Sequence, residues 1–169
     1  MLKYCTENFQ FDHLIKIDCS IVGYTERGDT LFKPNVLNHN IETVPRIFRF
    51  VRPKGSYERS LHLLKRSQDL SPEIPTKSGM MVGLGETWDE LRKTMEDLRE
   101  VGCNLLTIGQ YLRPSKFHHP VKKFYHPDEF SSLKELGQNL GFQFVASGPM
   151  VRSSYQAEEQ AMATKTVSH

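Results

Sequence analysis

Hydrophobic and polar positions alternate between two periods from Lys33 onward, and the switches mark out a series of elements. Asn35 to Glu42 reads as a strand, after which Pro45, Pro53 and Gly55 punctuate a loop. Ser56 is placed to cap a helix, with Tyr57, Leu61 and Leu64 at helical spacing and Pro72 and Pro75 ending it. A second strand runs Lys77 to Gly83 and turns tightly through Gly83-Leu84-Gly85. Thr87 and Glu90 have capping-box spacing, Leu91, Met95 and Leu98 follow at i, i+4 and i+7, and Gly102 supplies a left-handed stop. Leu105 to Leu112 reads as a buried strand. Pro127 at a first helical position, with Asp128 and Glu129 behind it, opens a helix whose stripe is Phe130, Leu133 and Leu140. Gly141 ends that helix, and Phe142 to Gly148 is the last strand.

Strands alternating with helices through short connections build a parallel α/β sheet with right-handed crossovers. Residues 1–33 keep no period; there Leu14, Ile15, Ile17, Ile21 and Val22 fit either a short strand or a helix turn. The expected organisation is therefore an unassigned segment over 1–33, an α/β unit over 34–155 and a flexible tail over 156–169. Hydrophobic content of 38% and charged content of 25% suit a folded soluble domain. A net charge of +2 points to neither a nucleic-acid nor a membrane partner, and no apolar run reaches membrane-spanning length. A cytoplasmic location is the default expectation, with a mitochondrion or plastid open if a transit peptide precedes the segment. The three cysteines, Cys5, Cys19 and Cys103, lie too far apart for a disulfide framework, and none has C-x-x-C or C-x-x-x-C spacing.

Parallel α/β folds bind ligands at the carboxyl ends of their strands, so the strand exits are where chemistry is expected. Period two puts Asn38, Asn40 and Glu42 on one face, where they form either a binding surface for a ribose or an ammonium, or a hydrogen-bonded structural network. Gly83, Gly85 and Glu86 let backbone approach a flat ligand, but the full dinucleotide fingerprint is missing and a tight strand-to-helix turn is favoured. Arg152-Ser153-Ser154-Tyr155 pairs two hydroxyls with an arginine, an arrangement whose usual role is capping a helix. His118-His119, among Lys116, Lys122 and Lys123, reads as a basic, solvated loop suited to an acidic partner, and Tyr125 and His126 prepare a helix start.

Four stretches in order carry a family resemblance: Asn38-His39-Asn40-Ile41-Glu42-Thr43-Val44-Pro45-Arg46, Lys77 through Glu86, Gly109-Gln110-Tyr111-Leu112-Arg113-Pro114-Ser115, and Arg152-Ser153-Ser154-Tyr155. From about Lys33 to about Gln160 the chain resembles the C-terminal half of lipoyl synthase, a radical S-adenosylmethionine enzyme. The resemblance implies the C-terminal part of a partial (β/α)6 TIM-like barrel, with S-adenosylmethionine and two 4Fe–4S clusters in the complete enzyme. It also implies reductive cleavage of S-adenosylmethionine and sulfur insertion at C6 and C8 of an octanoyl chain, with one cluster sacrificed as the sulfur source. The implied partners are octanoylated lipoyl carrier domains, those of 2-oxoacid dehydrogenase E2 and of the glycine cleavage H protein. By position, Asn38, Asn40, Glu42, Gly83, Gly85 and Glu86 resemble S-adenosylmethionine contacts, and Ser154 or Ser153 resembles the serine ligand of the auxiliary cluster. The family's C-x-x-x-C-x-x-C motif and second cysteine triplet do not occur among these residues. The chain alone is therefore expected to hold no cluster and to be inactive; the alternative is a truncated or spliced, non-enzymatic half-barrel that is inert or modulates a full-length partner.

Overall fold

The computed structural model describes residues 14–17, 20–23 and 35–152. The first two strands, β1 (Leu14–Ile17) and β2 (Ser20–Gly23), pair antiparallel from Leu14↔Gly23 to Ile17↔Ser20, which decides for strand over helix turn in that segment. Then come β3 (Leu37–Asn38), α1 (Pro45–Val51), α2 (Tyr57–Leu70), β4 (Thr76–Val82), α3 (Trp88–Glu100), β5 (Leu105–Gln110), α4 (Pro127–Asn139) and β6 (Phe144–Gly148). The last four strands form one parallel sheet in the order β3-β4-β5-β6. Spatial order equals chain order, so every crossover steps the same way. Right-handed crossovers that never reverse put their helices on one face of the sheet and leave the other face for a barrel interior.

Side-chain alternation follows that division. Met80, Val82, Leu106, Ile108 and Val145 join Leu64, Leu91, Met95, Leu98, Phe130 and Leu133 from the helices in one apolar core. The opposite set faces the interior in rows across the ladder, Gly79↔Thr107↔Ala146 above Lys77↔Leu105↔Phe144. Strand β5 is buried along its whole length, as expected of a parallel strand covered on both sides.

The local signals behave as their chemistry requires. Ser56 accepts from Arg59 N–H at the start of α2, and Thr87 and Glu90 close a reciprocal capping box on α3. Gly102 and Gly141 take positive φ, 82° and 89°, where the chain leaves α3 and α4. His126 is the N-cap of α4 and closes a box with Glu129. Leu136 takes the buried place expected of Leu140, which is half-buried at the C-cap.

Two elements differ from expectation. The stretch opened by Pro45 is not a loop but α1; Pro45 sits in its first turn, yet Val44 offers no side-chain cap and the buried pair Ile47 and Phe48 is adjacent. Such a pair produces no helical stripe. The strand expected from Asn35 to Glu42 is reduced to Leu37–Asn38, with one further bridge at Glu42↔Met80. Between them the chain detours: Ile41 N–H donates to the Ser78 hydroxyl at 3.0 Å rather than to a ladder carbonyl, and Ile41 is fully buried. Glu42 re-enters the ladder with φ 69°, a left-handed conformation that costs a non-glycine residue roughly 1–3 kcal/mol.

Candidate functional site

The detour opens a cavity of about 250 Å³ at the carboxyl ends of β4 and β5. Asn40 and Glu42 form one wall, the interior face of Gly79, Met81, Thr107 and Gly109 forms the floor, and Leu112 and Arg152 stand at the edge. The floor is shaped by missing side chains. A Cβ at Gly79 would lie 2.8 Å from the Asn40 carbonyl oxygen Oδ1 and 2.9 Å from Thr107 Oγ1. A Cβ at Gly109 would lie 2.4 Å from the Val151 carbonyl, so only glycine lets the chain after β6 cross over β5.

Asn40 Oδ1 is buried and accepts no hydrogen bond, and neither does Asn38 Oδ1. An unpaired buried carbonyl carries a desolvation cost of about 1–3 kcal/mol, which a donor from a ligand would relieve. Glu42 completes this polar wall. Burial raises its carboxyl above the usual carboxylate range, while the Arg52 guanidinium, 3.9 Å away, and the Asn40 amide pull it down. Burial, and then Arg52, lowers the neighbouring His39. The wall thus offers an acceptor oxygen and a carboxylate to a cationic or hydroxyl-bearing ligand.

The sequence-predicted residues divide here. Asn40 and Glu42 come together on the cavity, whereas Asn38, Gly83, Gly85 and Glu86 are not among the residues lining it. Asn38 pairs with Lys77, so it stands on the interior side one row beneath Gly79, below the cavity floor. The β4 exit closes on itself. Gly83 and Leu84 N–H groups donate to the two Glu86 carboxylate oxygens at 2.6 and 2.9 Å. Gly83 and Gly85 have φ 101° and 103°, and a Cβ at Gly83 would meet Gln110 Nε2 at 2.3 Å. Ser153 and Ser154 lie outside the described residues, as does the expected tail.

Sequence reasoning missed Gly79, Thr107 and Gln110. A glycine inside a strand was the available signal at position 79, since it marks close backbone approach. Gln110 is buried and fully engaged: its amide donates to the Tyr111 and Lys123 carbonyls at 3.1 and 3.0 Å and accepts from Tyr125 N–H at 3.0 Å. It stitches the long connection after β5 onto the sheet.

An all-parallel, unidirectionally wound sheet with a polar cavity at its strand exits is the architecture of a barrel enzyme domain. The chain belongs to the Radical SAM superfamily, whose sequence profile matches residues 8–98. That match takes in much of the 1–33 segment, where the motif reading found nothing. Among curated proteins, the chain is 56% identical over 128 residues to the lipoyl synthase of Halalkalibacterium halodurans, covering 76% of this chain and 42% of that protein. It is 55% identical over 128 residues to the lipoyl synthase of Thioalkalivibrio sulfidiphilus, with 76% and 40% covered. It is 45% identical over 172 residues to that of Hahella chejuensis, with 98% and 52% covered. The chain spans about half the length of these relatives, over their C-terminal half, and the resemblance carried by the four motifs is borne out there.

Membership of this superfamily implies S-adenosylmethionine and iron–sulfur clusters. The wall of Asn40 and Glu42 fits the first, because an orphaned acceptor and a carboxylate suit an ammonium or a ribose. The described residues do not fit the second. No group of three His, Cys, Asp or Glu could hold a metal among them. Cys103, the one cysteine described, is fully buried, and burial pushes its thiol up to about 12, whereas a ligand must be a thiolate.

Proposed function

We propose that this chain is the S-adenosylmethionine-binding C-terminal portion of a lipoyl synthase, whose reaction inserts sulfur at C6 and C8 of a protein-bound octanoyl chain. The observation that carries the reading is the orphaned Asn40 Oδ1 beside the Glu42 carboxylate, at the strand exit where the family motif lies. In this reading Asn40 accepts from the cofactor's polar end and Glu42 holds its ammonium, while Gly83, Gly85 and Glu86 shape the neighbouring turn and Asn38 supports the wall from below. When bound, S-adenosylmethionine supplies the radical that removes hydrogen from the acyl chain. By the family resemblance, Ser154 or Ser153 would supply the serine oxygen for an auxiliary cluster. The substrates are octanoylated lipoyl carrier domains.

The chain by itself is inactive in this proposal. It has three cysteines, and with Cys103 unfit as a ligand too few thiolates remain for one cubane cluster. Equilibrium dialysis of the purified chain against labelled S-adenosylmethionine is the test. Saturable one-to-one binding is expected, with iron and sulfide well below stoichiometric after reconstitution. Absence of saturable binding would sink the cofactor assignment, and stoichiometric iron and sulfide would sink the inactivity.

A further inference from the structure

The cavity opens inside a rim whose charge is not that of the rest of the chain. Residues 43–57 carry Arg46, Arg49, Arg52 and Lys54, and residues 111–127 carry Arg113, Lys116, Lys122 and Lys123, without one Asp or Glu in either stretch. The whole chain balances 22 Lys and Arg against 20 Asp and Glu, so the positive charge has been sorted onto these two segments. They are neighbours in space. The Phe50 and His119 rings lie 6.3 Å apart, His119 Nε2 is 2.9 Å from the Leu84 carbonyl, and Arg46 donates to the Gly85 carbonyl at 2.9 Å. Leu112 belongs both to this rim and to the cavity edge.

The same rim carries exposed apolar surface. Four of the six large apolar side chains exposed among the described residues stand on it: Phe117 at 85%, Phe124 at 70%, Phe50 at 57% and Leu112 at 50%. Cations lie against two of the rings, Arg49 4.9 Å from Phe50 and Lys116 5.4 Å from Phe117. Residues 111–126 are also far longer than the roughly 2–6 residues such a connection needs. Yet the loop is pinned rather than loose. Tyr111 donates to the His119 carbonyl at 2.8 Å, Arg113 to the His118 carbonyl at 2.9 Å, and Lys122 N–H to the Gly83 carbonyl at 2.8 Å. A preordered loop that displays phenylalanines and cations spends little entropy on binding.

We propose that this rim is the docking surface for an acidic carrier domain, which rests on Arg49, Phe50, Lys116, Phe117 and Lys122 while its acylated side chain enters the cavity. The inference rests on the lipoyl synthase reading and adds to it where the carrier sits. A folded protein is favoured over a nucleic acid for two reasons. Arg46 and Lys123 are already neutralised by Glu90 and Glu129, which interrupts any continuous phosphate track. The exposed rings are phenylalanines on segments that meet the cavity edge at Leu112, which suits a domain presenting a single acylated lysine beside the cofactor.

The test is fluorescence anisotropy with labelled octanoylated glycine cleavage H protein over a salt series, using the whole chain. Reversing Lys116→Glu and Lys122→Glu together should raise Kd by about tenfold or more and flatten its salt dependence. Phe117→Ser should raise Kd by about fivefold and leave the salt slope unchanged. Reversing Arg66→Glu and Lys134→Glu, exposed positions on α2 and α4, should change neither. Circular dichroism establishes that each variant is folded, and S-adenosylmethionine affinity should be the same in all. Carrier binding that survives rim reversal within about twofold overturns the rim and leaves the enzyme reading standing. So does a single-stranded RNA that binds the rim as tightly as the carrier. Failure of the wild-type chain to bind either carrier or S-adenosylmethionine overturns both.

Discussion

The exits of β3 and β4 are adjacent in one sheet, both carry family motif residues, and they treat their polar groups in opposite ways. At β4 the turn is held by paired groups: the Gly83 and Leu84 N–H groups donate to Glu86, and Arg46 donates to Glu90 and the Gly85 carbonyl. At β3 the chain leaves the ladder, strains Glu42 into φ 69°, and ends with Asn40 Oδ1 buried and unpaired. A satisfied turn is already at its lowest energy without a ligand. A wall with an orphaned acceptor and a partly desolvated carboxylate holds free energy that a complementary ligand can recover. In the proposed reading the β4 exit supplies shape and the β3 exit supplies recognition.

The largest effect should come from breaking the closed side. Gly83→Ala places a methyl group at φ 101°, 2.3 Å from Gln110 Nε2 and 2.4 Å from the Lys123 carbonyl oxygen. The Gln110 amide must then release the loop after β5. A loss of about 3 kcal/mol is expected, combining the left-handed cost with a displaced buried hydrogen bond. Urea denaturation followed by circular dichroism measures it; a loss below about 1 kcal/mol would mean the turn is looser than its contacts imply.

A matched pair of substitutions then sharpens the comparison. Glu86→Gln keeps the size of the side chain but loses one of two charge-assisted acceptors, costing about 1–2 kcal/mol of stability. Its effect on S-adenosylmethionine affinity, measured on folded protein, should stay within about twofold. Asn40→Ala should do the reverse. Removing the unpaired acceptor offsets the loss of the amide's bond to Glu42, so stability should change by less than about 1 kcal/mol, while affinity falls by about tenfold, or roughly 1.4 kcal/mol. Equal affinity losses in the two variants would erase the division between shape and recognition.

Much of the β4 exit could be read from the chain because its chemistry is local. Thr87 and Glu90 are three residues apart, Gly102 follows directly on α3, and Glu86 reaches back only to Gly83 and Leu84. The β3 exit depends on contacts distant in sequence. Ile41 N–H finds the Ser78 hydroxyl, and Asn40 Oδ1 has room only because position 79 lacks a side chain. Period two therefore predicted the correct face for Asn40 and Glu42 by a route the backbone does not take, but it carries no depth, and Asn38 lies one row below the cavity. Helix α1 was hidden for a related reason: Ile47 and Phe48 bury against the tertiary core without forming a stripe.

The smallest effects are in pH, where the two exits carry carboxylates shifted in opposite directions. The hydrogen bonds from Arg46 foremost, helped by the Thr87 backbone N–H, hold Glu90 at about 2 against an ordinary 4.5. A carboxylate depressed on folding contributes stability that is present above its unfolded value and lost as pH falls toward its folded one. Glu90 should therefore contribute to acid lability between pH 4.5 and about 2, and Glu90→Gln should lower Tm by about 3 °C at pH 7 with the difference vanishing at the acid end. Glu42 is raised, chiefly by burial, so its sign is reversed. Its contribution is complete below the ordinary value of 4.5 and is lost as pH rises through the elevated folded value. Glu42→Gln should accordingly raise Tm by about 2 °C near neutrality, have no such effect in acid, and weaken S-adenosylmethionine binding. Calorimetric scans of both variants across pH 2 to 8 check the pair. If Glu42→Gln destabilises at neutral pH, the carboxylate is a structural member of the wall, and the recognition role passes to Asn40 alone.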